Sequence, residues 1–113
     1  MIPDAGAGPH FRLYVTVSGL NEVVVIDPVQ KRIVQRIPVG VFPQGLSVDQ
    51  ATGRVFVANR DGGSSSVIDG ATGEVLQTIP VGNGPGDAEY NPRNRLLYVP
   101  NGTDNSISVV KPN

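Results

Sequence analysis

Two carboxylates spaced two residues apart, Asp87 and Glu89, are the best candidates for chemistry in the chain. On a β-strand, residues i and i+2 project from the same face, so the pair would stand side by side. Carboxylates so placed can share a hard cation or raise one partner's pKa; equally, both can rest in water and do neither. Arg93 and Arg95 follow closely and can neutralise them. A second set lies in polar segments: Arg60 and Asp61 in "NRDGGS" (residues 59–64), and Asp104 in "NGTDNS" (residues 101–106). Charged side chains on loops can bind a protein or a small-molecule ligand, although Gly, Asn and Asp are also ordinary turn residues.

Other chemistries lack their residues. His10 is the single histidine and there is no cysteine. A His-rich copper site, a haem ligand set, a His-based zinc site and a Ser-His-Asp triad within the repeats therefore cannot be assembled. No catalytic residue, metal site or cofactor is assigned, and a catalytic centre would need residues from beyond this chain. "NGTDNS" lacks the alternating carboxylates of a calcium loop. With a net charge of −1, two lysines and no basic run, nucleic acid is not an expected partner. The N-terminal "MIPDAGAGPH" has neither the basic nor the apolar region of a secretory signal, and no apolar run approaches membrane-spanning length, so membrane insertion is not expected.

The elements that must position the charged residues are repeats. Residues 12–53 laid over residues 54–95 without a gap match at 11 of 42 positions, including Val25-Ile26-Asp27 with Val67-Ile68-Asp69 and Ile37-Pro38-Val39-Gly40 with Ile79-Pro80-Val81-Gly82. A third partial copy continues the register, with Asn59 answered by Asn101 and Ser66-Val67 by Ser108-Val109. A period in this range points to a propeller or a solenoid. Each unit carries short β-branched runs and no helical stripe, and reads as four strands. In the middle copy these are predicted near residues 45–49, 54–59, 65–69 and 74–81.

Turn chemistry separates the strands. "DQATGR" (residues 49–54) and "DGATGE" (residues 69–74) each offer an Asp to cap main-chain amides and a Gly that accepts positive φ. In the first copy Lys31 replaces that Gly, which predicts a more strained turn. Pro38 and Pro80 would each remove a ladder hydrogen bond in mid-sheet, so both are expected on an outermost strand. Ile-Pro-Val-Gly-x-x-Pro then marks the exit from one four-stranded blade and the start of the next.

At "LYVTVSGLNEVVVID" (residues 13–27), "RVFVANRDGGSSSVID" (residues 54–69) and "LLYVPNGTDNSISVV" (residues 96–110), the chain resembles the YVTN-family β-propeller repeat. The likeness covers residues 12–110. It implies an all-β fold of four-stranded antiparallel blades, and, through the surroundings of such proteins, an extracytoplasmic location at the periplasm or cell surface. YVTN propellers occur in surface-layer proteins, in lactonase-like enzymes and within redox enzymes, so the resemblance fixes the blade and not the activity. It also implies that the face bearing the 59–64 and 101–106 loops binds ligands. Two positions depart from the pattern: Pro100, near the end of a central strand, and the Asp87/Glu89 pair, where the inner strand usually has Gly and a small apolar residue.

With strands lettered A to D from the inside outward, the chain is expected to run B-C-D, A-B-C-D and A-B-C. This divides it into an unrepeated segment, 1–11, and propeller repeats, 12–113, comprising a partial blade (12–42), a full blade (43–84) and a second partial blade (85–113). About two and a half blades cannot close a ring, which typically takes about four to eight. The expected partners are therefore the remaining blades of a larger propeller or further copies of the chain. The favoured function is a non-enzymatic binding or scaffold module. The alternative is part of an enzymatic propeller of lactonase-like or redox type.

Overall fold

The computed structural model describes residues 12–113, which leaves His10 and the 1–11 segment outside the described residues. The described residues are all-β and form three antiparallel sheets, with no closed barrel among them. The first sheet has the order β1 (Leu13–Val17), β2 (Glu22–Asp27), β3 (Arg32–Pro38). The second runs β4 (Pro43–Val48), β5 (Arg54–Asn59), β6 (Ser64–Asp69), β7 (Val75–Pro80), and the third β8 (Glu89–Asn91), β9 (Leu96–Asn101), β10 (Ser106–Val110). Pro38 and Pro80 end β3 and β7, each of which pairs on one side alone, so neither proline interrupts a central ladder. A bulge recurs at the same place in the repeat, between Val25 and Ile26 and between Val67 and Ile68.

Period-two alternation explains how the sheets stack. On β5, Val55 and Val57 join Val23, Val25 and Ile37 in one apolar cluster, whereas Phe56 and Ala58 join Ala88, Leu97 and Val99 in the other. The middle sheet is thus buried on both faces, and its central strand carries apolar residues in unbroken sequence. Across the second junction the Phe56 and Tyr90 rings stack with centroids 4.7 Å apart and planes 10° from parallel. Repeated polar ties reinforce the stack. Gln35 on β3 donates to the Thr72 carbonyl in the following sheet, and its equivalent Gln77 on β7 accepts the Asn113 amide. Tyr14 donates its hydroxyl to the Gly70 carbonyl, and burial holds that phenol above the usual tyrosine range.

The turns repeat their backbone geometry with different residues. In each A-B or C-D turn, a main-chain N–H bonds back to the carbonyl four residues earlier: Lys31 to Asp27, Gly53 to Asp49, Gly73 to Asp69 and Arg95 to Asn91. All four donors have positive φ, and for Lys31 (56°) and Arg95 (61°) this is the strained left-handed region. Several strand limits differ from expectation by a residue or two: in the middle sheet β4 spans Pro43–Val48, β6 Ser64–Asp69 and β7 Val75–Pro80, and the inner strand of the third sheet is only Glu89–Asn91. Before it, Pro85 makes only an isolated bridge to Asn101, and the Ala88 amide turns to the Asp87 carboxylate (2.8 Å) instead of a ladder.

Candidate functional site

B-C loops and D-A connections share one face of the sheets, and main-chain bonds lock them together. Arg60 and Asp61 donate their amides to the carbonyls of Phe42 (2.9 Å) and Val41 (3.1 Å). One repeat later, Gly102 and Thr103 donate equivalently to Gly84 (2.8 Å) and Asn83 (3.2 Å). The result is two similar polar platforms whose backbone is held at both ends.

On the first platform, the Arg60 guanidinium lies 4.0 Å over the Phe42 ring and its Nε donates to Asp61 Oδ1 at 3.1 Å. Both side chains are largely exposed, so the pair is a presented charge pair with little expected effect on stability. On the second platform, Asp104 accepts from the Asn83 main-chain amide (2.8 Å) and from Asn83 Nδ2 (3.0 Å). Those two hydrogen bonds hold its carboxyl below the usual aspartate range. Asp104 is thus committed to pinning the connection, while Arg60 and Asp61 face outward.

Asp87 and Glu89 are brought together. Partial desolvation raises the Glu89 pKa, and a side-chain hydrogen bond that the protonated Glu89 donates to Asp87 and repulsion by the Asp87 charge raise it further. Asp87 also lies against Gly45, its equivalent in the preceding sheet: a Cβ on Gly45 would stand 2.7 Å from Asp87 Oδ1. No third His, Cys, Asp or Glu joins the pair to complete a metal cluster among the described residues.

A cavity of about 510 Å³ opens on the opposite face, between the A-B and C-D turns at the junction of the second and third sheets. Arg54, Arg95 and Lys111 line it, with Thr52 and Tyr90 as further walls. Reading the charged loops did not find this place, because its cations come from separate turns. The available signal was the repeat itself: Gly53, Asp69 and Gly70 of the middle copy become Arg95, Lys111 and Pro112 in the next.

No protein-family model matches the chain, and no curated protein matches it in sequence. Solved structures do share its fold. The chain is similar to hydrazine synthase of Kuenenia stuttgartiensis (TM-score 0.82, 23% identity), covering 92% of this chain and 30% of that one. It is also similar to dihydro-heme d1 dehydrogenase NirN (TM-score 0.78, 19% identity; 91% of this chain, 22% of that one). A third is a protein of unknown function from Bacteroides caccae (TM-score 0.73, 13% identity; 88% of this chain, 42% of that one). Hydrazine synthase and NirN are propeller-type proteins, and the three sheets accordingly have a propeller-like fold. The chain spans less than half the length of each of these three.

Proposed function

We propose that the chain is a non-enzymatic binding or scaffold module of YVTN-type blades that works as part of a larger propeller, completed by further blades or by further copies. The observation that carries this reading is the outer edge of β10. In the middle sheet β6 is covered by β7, whereas β10 pairs with β9 alone and leaves Ile107 and Val109 67% and 52% exposed. An open edge with apolar side chains recruits another strand. The first platform, carrying Arg60 and Asp61, supplies a polar surface for a protein or small-molecule ligand.

Sedimentation of the chain at several micromolar concentrations tests the reading. A species of at least dimer mass is expected, and Ile107→Lys with Val109→Lys should move it toward monomer. A sharp, concentration-independent monomer in the unaltered chain would overturn it. The second reading, part of an enzymatic propeller, is favoured by one observation: the raised Glu89 pKa beside Asp87, the arrangement in which one carboxyl can donate and the other accept a proton. Lactone hydrolysis by the chain that disappears in Glu89→Gln would favour it over the scaffold.

A further inference from the structure

We infer that the cavity between the A-B and C-D turns is a binding site for a small dianionic oxyanion of the phosphate class. The inference concerns the face opposite the loop platforms and does not rest on the proposed scaffold role. It begins with the middle blade, where the corresponding space is shut. There Gly70 donates its N–H to the Gly53 carbonyl (3.0 Å), so the C-D turn clasps the A-B turn. A Cβ on Gly70 would lie 2.1 Å from that carbonyl oxygen, which shows how tightly the two turns meet.

One repeat later, the clasp has lost its donor. Pro112 stands in the place of Gly70 and has no N–H, so the two turns cannot be drawn together in the same way. The three other equivalent positions all become more positive: Asp49 is replaced by Asn91, Gly53 by Arg95 and Asp69 by Lys111. Asn91 still caps its turn through the Arg93 amide (2.9 Å), but the other two changes do not serve the turn. Arg95 occupies a positive-φ position (61°) that Gly53 fills without strain, and Lys111 cannot cap its own segment as Asp69 does toward Ala71 (2.9 Å).

The altered residues converge on one space. Arg54, Arg95 and Lys111 line the cavity, no lining side chain is acidic, and neither Arg95 nor Lys111 has a carboxylate partner among the described residues. The nearest acid on the turn, Asp49, is occupied with the Ala51 amide (3.3 Å) and the Thr52 hydroxyl (2.7 Å). Arg54 donates to the main-chain oxygen of Asn113, itself a lining residue, and that bond holds its guanidinium at the cavity wall. Tyr90, fixed by its stack on Phe56, forms a wall. Two unpaired cations, Arg95 and Lys111, with the Arg54 guanidinium beside them concentrate positive potential in one concavity, and guanidinium groups match the paired oxygens of a phosphate.

The test is titration of the full chain with inorganic phosphate at low ionic strength, followed through amide NMR shifts, with chloride at matched ionic strength as reference. Saturable shifts centred on Arg95 and Lys111 are expected. Arg95→Gln with Lys111→Gln should weaken the affinity at least tenfold, whereas Lys31→Gln with Arg93→Gln, an equal loss of charge at positions outside the cavity lining, should leave it unchanged. A parallel titration with phenyl phosphate separates the sources: tighter binding than inorganic phosphate identifies an organic phosphomonoester, and equal binding identifies the free anion. Shifts reproduced by chloride, no saturation, or equal weakening in both pairs of substitutions would overturn the inference.

Discussion

Gly40 lies directly against the carboxamide of Asn59: a Cβ added to Gly40 would sit 2.7 Å from Asn59 Cγ. The relation repeats one blade on, between Gly82 and Asn101, at the same 2.7 Å. Each Asn is buried and donates its amide to two serine hydroxyls, Ser64 and Ser66 in the middle sheet and Ser106 and Ser108 in the third. The glycine of Ile-Pro-Val-Gly is therefore the place where the chain, leaving one blade, must pass over the buried asparagine of the next.

Gly40→Ala and Gly82→Ala should each destabilise the fold, by about 1–3 kcal/mol, the usual range for overpacking a filled site. The asparagine cannot yield cheaply because its amide is held by two hydroxyls. Denaturant unfolding measures the loss. Stability equal to that of the unaltered chain would show that the Asn side chain is not fixed as described.

The Asp87/Glu89 pair predicts a pH dependence with a defined sign. Glu89 has a raised folded-state pKa, so between its unfolded and folded values the native state binds more protons than the unfolded one. Stability attributable to this group is therefore fully present below the ordinary carboxylate range and is lost as pH rises through the folded value. Glu89→Gln should flatten that fall and raise the melting temperature near neutral pH. Parallel pH profiles for the two chains would show that Glu89 does not feel Asp87.

How much of this could be read from residues alone follows the range of each interaction. Strands such as Arg54–Asn59 and the turns closed by Gly53 and Gly73 are set by local alternation and turn chemistry, and both are visible in a short window. The edge position of Pro38 and Pro80 is equally local, since a missing N–H excludes a central ladder. The shortened β8 was less legible, because Asp87 competes for the Ala88 amide only when the side chain turns back. The contact of Gly40 with Asn59 and the cavity between Arg95 and Lys111 join residues on neighbouring turns or sheets. Their trace in the sequence is a break in the repeat, which shows that a position differs without showing what it faces.

Lys31 and Gly73 occupy equivalent turns, with φ of 56° and 79°. A left-handed conformation costs a side chain about 1–2 kcal/mol, so Lys31→Gly should stabilise the protein by up to about 1 kcal/mol after the added chain entropy of glycine is set against it. Gly73→Ala should act the other way, since its Cβ would stand 2.0 Å from Gln35 Nε2 and break that side chain's bond to Thr72. Thermal unfolding of both variants distinguishes them by sign. A loss of stability in Lys31→Gly would mean that the lysine makes a compensating contact.

The stacking order predicts where the molecule opens last. The middle sheet alone has a sheet on each side, and Val55, Phe56, Val57, Val67 and Ile68 are at most 1% exposed. By contrast, β3 exposes Ile33 and Val34, and β10 exposes Ile107 and Val109. Opening free energies fall where buried contacts are few, so the outer sheets should exchange through local opening and the middle one only through global unfolding. Amide hydrogen exchange should therefore be slowest at Val57, Val67 and Ile68. Phe56→Ala removes the ring stacked on Tyr90, should cost about 3–5 kcal/mol, and should bring the protection of all three sheets down together. Slower exchange in the first or third sheet than at these three residues would contradict a structure built around β5 and β6.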